Sequence, residues 1–252
     1  MLLVRRMLSP QLRNFRNVVV ALPPGYHDES PRRYPVVYLQ DGQNLFDPVT
    51  SYSGDWKLGP LLDGLAGRGA QPIVVGIANA RTRRLYEYSP FPDPRLGGGG
   101  GDRYLAFLTE TVKPSIDRAF RTLADPQQTV IAGSSMGGLF SLYAGLHRPE
   151  VFGTVGALSP SLWFADRRVF GLLETGSAPP RVYLDIGLLE PAAAVADVRR
   201  LRELLERRGL REGADFRYHE DPEGRHDEET WGRRLGAALP FLLAAGQSAV
   251  QR

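Results

Sequence analysis

The residues best placed to do chemistry in this 252-residue chain are Gly133-Ser134-Ser135-Met136-Gly137. This G-x-S-x-G run follows the apolar stretch 128–133 and precedes a helical pattern over 137–146. In that context the spacing prescribes a tight turn from strand to helix, with Ser135 strained and its Oγ exposed. Gly133 and Gly137 let neighbouring backbone pass closely, and Gly138 adds room at the helix start. The free N–H groups of a helix N-terminus favour negative charge developing beside them. Ser134 occupies the variable place before the nucleophile and suits the role less well. The competing reading is a glycine-rich helix start in an inert α/β protein.

Serine is a weak nucleophile at neutral pH and needs a base, normally oriented by a carboxylate. The chain order in this kind of fold is serine, acid, histidine. His226 is the preferred base, because DPEGRHDEETW reads as a polar loop between a strand and a terminal helix. His147 follows the motif too closely, His219 lies within a strand pattern, and His27 precedes the motif. Glu190 is the preferred acid, just beyond the strand-like RVYLDIG. Asp185 and Asp221 are its alternatives, and Asp166 is a weaker one. Attack on an ester carbonyl creates an oxyanion that two backbone N–H groups should face. The amide of Met136 is one candidate. Gln43, in QDGQNLF after the strand-like VVYL, is the other, with Gly42 or Asn44 as neighbours in register. The chemistry expected of this set is acyl transfer from an ester to Ser135 and then to water, with no cofactor and no metal. Asp41 and Asp47 bring no convincing ligand set and are read as organising the oxyanion loop.

Composition narrows the alternatives. There is no cysteine, so disulfides, thiolate catalysis and cysteine-ligated metal sites are excluded. The four histidines do not form H-E-x-x-H. Lys+Arg is 31 against Asp+Glu 28. So small an excess, with acids beside most of the basic clusters, argues against a nucleic-acid role. Arg81, Arg83 and Arg84, and Arg207 and Arg208, read as solvated surface. No run of about 18 apolar residues is present, so no membrane span is expected. Arginines interrupt the first apolar residues, MLLVRRMLSP, before a secretion signal can form. A cytoplasmic location is the resulting expectation.

Stepping outward, apolar strand patterns recur with helical patterns between them. Residues 2–8 and 15–22 suggest an antiparallel edge pair. Short buried strands are expected at 34–40, 72–78, 128–133, 151–159, 181–187 and 215–221. Helical patterns cover 102–119, 137–146 and 195–209, where Val198, Leu201, Leu204 and Leu205 form a stripe and Gly209 a stop. The apolar C-terminal segment LGAALPFLLAAG is read as a packed helix. This alternation predicts an α/β fold, a mostly parallel central sheet flanked by helices, in a single domain over 1–252. Residues 79–101, with three prolines and five consecutive glycines, are expected to be irregular. They read equally as a flap over a cleft, carrying Tyr86, Tyr88 and Phe91, or as a surface insertion.

These features together resemble the putative-esterase family of α/β-hydrolases, the group of esterase D-like, enterochelin-esterase-like and feruloyl-esterase-like proteins. The resemblance spans about 15–243. It is carried by VVVALPPGY, YPVVYLQDGQNLFD, PIVVGIANARTRRLYEYSP, IAGSSMGGLFSLYAGLHRPEVFG, ALSPSLWF, IGLLE and GRHDEETW. DGQNLFD and R-x-x-E-Y-S-P are more discriminating than G-x-S-x-G. The resemblance implies an α/β-hydrolase fold without a large separate cap and Ser-acid-His chemistry on carboxylic esters. It places the nucleophile at Ser135, the acid at Glu190 and the histidine at His226. It also implies that Arg84 and Glu87 brace the pocket as an ion pair.

Phe46, Trp56, Tyr88 and Trp163 would line an apolar pocket, or else pack in the core and loops. The expected partner is a small-molecule ester, with neither nucleic acid nor membrane involved. Two competing functions use the same chain: an acyltransferase sharing the acyl-enzyme, and a noncatalytic binding protein on the same scaffold.

Overall fold

The structure is a computed structural model that describes residues 1–28, 31–66, 71–176 and 181–244. The chain opens with the antiparallel hairpin β1 (Leu2–Ser9) and β2 (Asn14–Ala21), continues into β3 (Val36–Gln40), and crosses through α1 (Leu58–Ala66) to β4 (Ile73–Ile77). A short helix α2 (Arg84–Tyr88) and the two-stranded ribbon β5 (Pro92–Asp93) and β6 (Gly97–Gly98) lead to α3 (Gly101–Ala106). A π-helical turn at Phe107–Val112 joins α3 to α4 (Lys113–Ala119). Then come β7 (Thr129–Ser134), α5 (Met136–His147), β8 (Thr154–Leu158), α6 (Phe164–Arg167) and α7 (Val169–Thr175). The chain closes with β9 (Arg181–Gly187), α8 (Ala192–Arg207), β10 (Phe216–Asp221) and α9 (Glu228–Leu243).

Among the described residues eight strands form one sheet in the order β1-β2-β4-β3-β7-β8-β9-β10. In sheet order from β4 to β10 every pairing is parallel, and only β2 is reversed, antiparallel to both β1 and β4. This is the doubly covered α/β-hydrolase architecture, without a large separate cap. Its central strands β3, β4, β7 and β8 are buried along their whole length and are accordingly mostly apolar. Alternation assigns the faces. Val36, Tyr38, Val75 and Ile131 enter one core with Leu139, Phe140, Val198 and Leu201. Val37, Leu39, Val74 and Val130 enter the other with Trp56, Leu235 and Leu239. The expected stripe Val198, Leu201, Leu204 and Leu205 is buried. Pro240 lies inside α9, whose Leu235, Ala238, Leu239 and Leu242 are buried. Among the described residues no helix is long and apolar enough to cross a membrane.

The expectation of irregular structure over 79–101 needs correction. Arg81–Arg83 form a 3-10 turn that runs into α2, and the glycine run is held by backbone hydrogen bonds. Gly99 and Gly101 both donate to Ser89 O at 3.0 Å, and Gly100 donates to Tyr86 O at 2.9 Å. Gly101 then starts α3. Composition misled here because glycine's freedom permits the turn as well as disorder. Helices α1, α6 and α7 are likewise absent from the sequence reading.

Candidate active site

Ser135 stands between β7 and α5 with φ 56° and ψ −121°, a conformation non-glycine residues rarely hold. Its backbone is fixed on both sides: its N–H donates to Leu158 O at 2.9 Å, and its carbonyl accepts from Ser161 N–H at 3.0 Å. Glycine is required at 133, where a Cβ would meet Gln40 Cγ at 2.8 Å and the Gly137 carbonyl carbon at 2.9 Å. The elbow therefore excludes a side chain at 133, while Ser134 and Met136 are buried and Ser135 is partly exposed.

Two loops beyond the C-terminal ends of β9 and β10 bring the other groups to this point. They cross where a Cβ on Gly187 would lie 2.3 Å from Gly224 O. Leu188 N–H donates to Asp221 O at 2.8 Å and Leu189 N–H to Gly224 O at 3.1 Å. Across this junction His226 Nδ1 lies 2.7 Å from Glu190 Oε2, and His226 Nε2 lies 3.0 Å from Ser135 Oγ. An ionised carboxylate only accepts, so the hydrogen sits on Nδ1 and the Nε2 lone pair faces the serine hydroxyl. Ser135 Oγ is also 3.1 Å from Ser161 Oγ. The edge of Trp231 meets the imidazole, with ring centroids 4.7 Å apart at 81°.

Glu190 is nearly enclosed, while the His226 side chain is 45% exposed. Burial pushes the Glu190 carboxyl up, but hydrogen bonds from His226, Ser159 and the Gly187 amide outweigh it. The net position is below the usual glutamate range. Asp185, the alternative acid, lies inside β9 and is fully buried, 3.0 Å from Arg234 Nη1. Burial raises its carboxyl to about 7 despite that arginine. Asp221 accepts from Arg233 Nη2 at 2.7 Å, and Asp166 is exposed within α6. His147 ends α5, His219 is exposed on β10, and His27 sits in an exposed early turn.

Of the two expected oxyanion donors, Met136 follows the serine directly and Gln43 lines the same cleft as Ser135. Met136 is the first residue of α5, so its amide is among those with no intrahelical acceptor. Gln43 sits in the 3-10 turn Gly42–Asn44 after β3, and its side chain accepts from Asn79 N–H at 3.1 Å. That turn starts at Asp41, which has left-handed φ 54° and ψ 47°. Arg84 donates from Nε and Nη2 to the two Asp41 oxygens, both at 2.8 Å, and Asn79 Nδ2 donates to Oδ1 at 2.6 Å. The Tyr88 hydroxyl accepts from Asp41 N–H at 2.9 Å. Asn44 Nδ2 donates to Glu228 Oε1 at 3.1 Å. Asp41 thus organises this loop, and Asp47 accepts locally from Val49 N–H.

The implied Arg84–Glu87 pair is therefore corrected: Arg84 binds Asp41, and buried Glu87 binds Arg16 of β2. The pocket expectation is corrected as well. A cleft of about 790 Å³ contains Ser135, His226, Trp231, Gln43, Arg84 and Glu228, with a rim of hydroxyl and amide side chains from 50–53 and 79–82. Of the expected pocket residues only Arg84 lines it. Trp56 is buried against Trp231. Tyr88 is buried against Phe140, with rings 6.0 Å apart. Phe46 borders a different cavity, with Leu22 and Leu62. Trp163 is 46% exposed and outside the cleft. Ser159, Ser161, Trp231 and Arg234 were not singled out from sequence, although Trp231 sits in the GRHDEETW run that supplied His226.

The chain is similar to known proteins in both sequence and fold. The family model described as Putative esterase matches residues 9–242. An uncharacterized protein of Bacillus subtilis (strain 168), YbbA, is 32% identical over 189 residues, covering 71% of each chain. The iron(III) enterobactin esterase of Escherichia coli (strain K12) is 34% identical over 176 residues, which are 65% of this chain but 40% of that protein. Among solved structures, an IroE-like serine hydrolase from Shewanella oneidensis superposes with a TM-score of 0.79 at 26% identity, covering 96% of this chain and 80% of the other.

Proposed function

We propose that this chain, which belongs to the Putative esterase family, hydrolyses small carboxylic esters with Ser135 as nucleophile, His226 as base and Glu190 as the carboxylate that orients it. The observation that carries this reading is the unbroken contact from Glu190 Oε2 through His226 to Ser135 Oγ, at 2.7 and 3.0 Å. In the reaction His226 Nε2 takes the Ser135 proton as Oγ attacks the ester carbonyl. The Met136 and Gln43 amides face the oxygen that becomes negative. Collapse breaks the bond to the alcohol oxygen, which receives its proton from His226. Water, deprotonated by the same imidazole, then releases the acid and restores Ser135.

The cleft sets hydroxyl, amide and charged groups around a surface that is mostly carbon, which suits an ester with an apolar body and polar substituents. Likeness to the iron(III) enterobactin esterase places enterobactin-type esters in the assay panel beside short aryl esters. Exposure of His226 to solvent favours water over a second alcohol as acyl acceptor. The test is mass spectrometry after a fluorophosphonate probe, paired with the ester panel. A single adduct on Ser135 and loss of turnover in S135A are expected. Turnover at the parent rate in S135A would reject the nucleophile. Faster formation of a new ester than of free acid, with an added alcohol present, would make the chain an acyltransferase.

A further inference from the structure

Ser159 follows β8 with φ 41° and is 2% exposed. Three groups converge on its hydroxyl. Trp231 Nε1–H approaches Oγ at 3.2 Å and Arg234 Nη2–H at 2.8 Å, while Glu190 Oε1 lies 2.5 Å away. A hydroxyl has one hydrogen and two acceptor sites. Trp231 and Arg234 can only donate, so they occupy both acceptor sites. The single hydrogen is left for Glu190. Oε1 also accepts from Gly187 N–H at 3.0 Å, and this leaves Oε2 for His226.

Arg234 is 1% exposed, and its one directed hydrogen bond in this group goes to Ser159. Its approach to Asp185 at 3.0 Å lacks hydrogen-bond alignment and acts as a charge contact, as does its 3.6 Å approach to Glu190. Ser159 N–H meanwhile donates to Asp185 Oδ1 at 3.1 Å, which pins the residue's own backbone.

We propose that Ser159 is a positioning residue for the hydrolysis: its hydroxyl, oriented by Trp231 and Arg234, holds Glu190 so that the second carboxylate oxygen meets His226. The inference rests on the triad assignment above. Ser159 touches neither substrate nor the reacting atoms, so its effect should appear in kcat and in the pH profile. The charged and titratable groups around Glu190 are His226 at one oxygen, with Arg234 and Asp185 behind the other. On its outer side Arg199, Arg200 and Glu203 border a separate cavity, where Arg199 is already bound to Glu220. Removing the Ser159 hydroxyl takes one donor from the carboxylate, which makes Glu190 a stronger proton acceptor and strengthens its hold on a protonated imidazole. Both effects move the acid limb of kcat/KM to higher pH.

The experiment compares S159A and S159G with the parent chain. Glycine accommodates the positive φ, so the pair separates the hydroxyl from backbone strain. For both, kcat should fall about tenfold or more, as for loss of a hydrogen bond to a charged group. KM should stay within about twofold, and the acid limb should rise by roughly half a pH unit or more. A folded variant with parental kcat and acid limb overturns the proposal. So does loss of cooperative melting in both variants, which would make Ser159 a folding residue. Absence of a fluorophosphonate adduct on Ser135 in the parent chain would instead defeat the triad assignment. A Ser135 adduct with indifferent Ser159 variants would defeat only this inference.

Discussion

His226 Nε2 lies 3.0 Å from Ser135 Oγ although 91 positions separate them in the chain. The contact comes from sheet order. β7 carries the serine at its C-terminal end, and β9 and β10 follow on the same side, so their parallel loops emerge at one edge. Parallel strands make this generic: the C-terminal loops of β3, β4, β7, β8, β9 and β10 face the same mouth, where α/β sheets bind their ligands.

Ser135 should show a trade between stability and activity. Its φ of 56° is costly for a residue with a Cβ. Both S135A and S135G should lose ester turnover by about a thousandfold or more, the scale seen when a triad member is removed. S135G should melt at higher temperature than S135A, because glycine holds the same backbone without strain, a gain of about 1 kcal/mol. Thermal melts of the two inactive variants, side by side, check this without any assay. An S135A melt at or above that of S135G would show that the elbow carries no strain.

Glu190 should contribute to both catalysis and acid stability. E190Q keeps the shape but removes the charge that favours the imidazolium, so kcat should drop by about a hundredfold to ten-thousandfold. The folded carboxyl sits below its ordinary value, so it stabilises the fold fully above about pH 4.3. That contribution disappears as pH falls through the depressed value. The parent chain should therefore melt above E190Q at pH 7, and the gap should shrink as pH falls below about 4.3 and through the depressed value. A gap that widens on acidification would contradict the carboxylate's ionised state.

Arg84 is expected to act on the oxyanion turn through Asp41. Two parallel hydrogen bonds at 2.8 Å hold a carboxylate that is 3% exposed and whose residue starts the turn containing Gln43. R84M leaves that carboxylate with Asn79 alone. A drop in kcat of about tenfold to a hundredfold should follow, as for a misplaced oxyanion donor. R84K should recover only part, because one ammonium cannot span both oxygens. Steady-state kinetics on one aryl ester decide it; full activity in R84M would free the turn from this clamp.

What the sequence could and could not disclose follows from the range of each constraint. The elbow was legible because its steric requirement is local: Gly133, Ser135 and Gly137 meet within five residues. Glu190 could be separated from Asp185 because a residue inside a strand points into a face, while one just past its end is free to turn. The Arg84 partner was not legible. The family resemblance pairs it with Glu87, yet Arg16 reaches Glu87 from 71 positions away. The Ser159–Arg234 contact spans 75 positions and arises only when α9 packs beside β8. The glycine run at 97–101 was misread because backbone hydrogen bonds leave no trace in composition. Aromatic side chains such as Trp56 and Tyr88 were equally suited to core and pocket, and packing placed both in the core.

The Arg16–Glu87 pair offers a test of buried charge away from the cleft floor. Arg16 Nη2 donates to Glu87 Oε1, with the side chains 3% and 1% exposed. Burial raises the Glu87 carboxyl above its usual range even with Arg16 beside it. Removing the arginine alone should cost about 3–5 kcal/mol, because a carboxylate is left in the interior. The sign of the pH dependence follows. A glutamate whose folded value is raised holds its proton longer in the folded chain than in the unfolded one, so stability falls as pH rises above about 4.3 toward the folded value. R16M raises that value further, so its deficit should be larger at pH 8 than at pH 5. The double variant R16M/E87L removes both charges and should regain most of the loss, with little remaining dependence on pH. Urea melts of the parent, both single variants and the double variant at the two pH values complete the cycle. A double variant as unstable as R16M at pH 8 would show that the two side chains are needed for their shape and not for their charges.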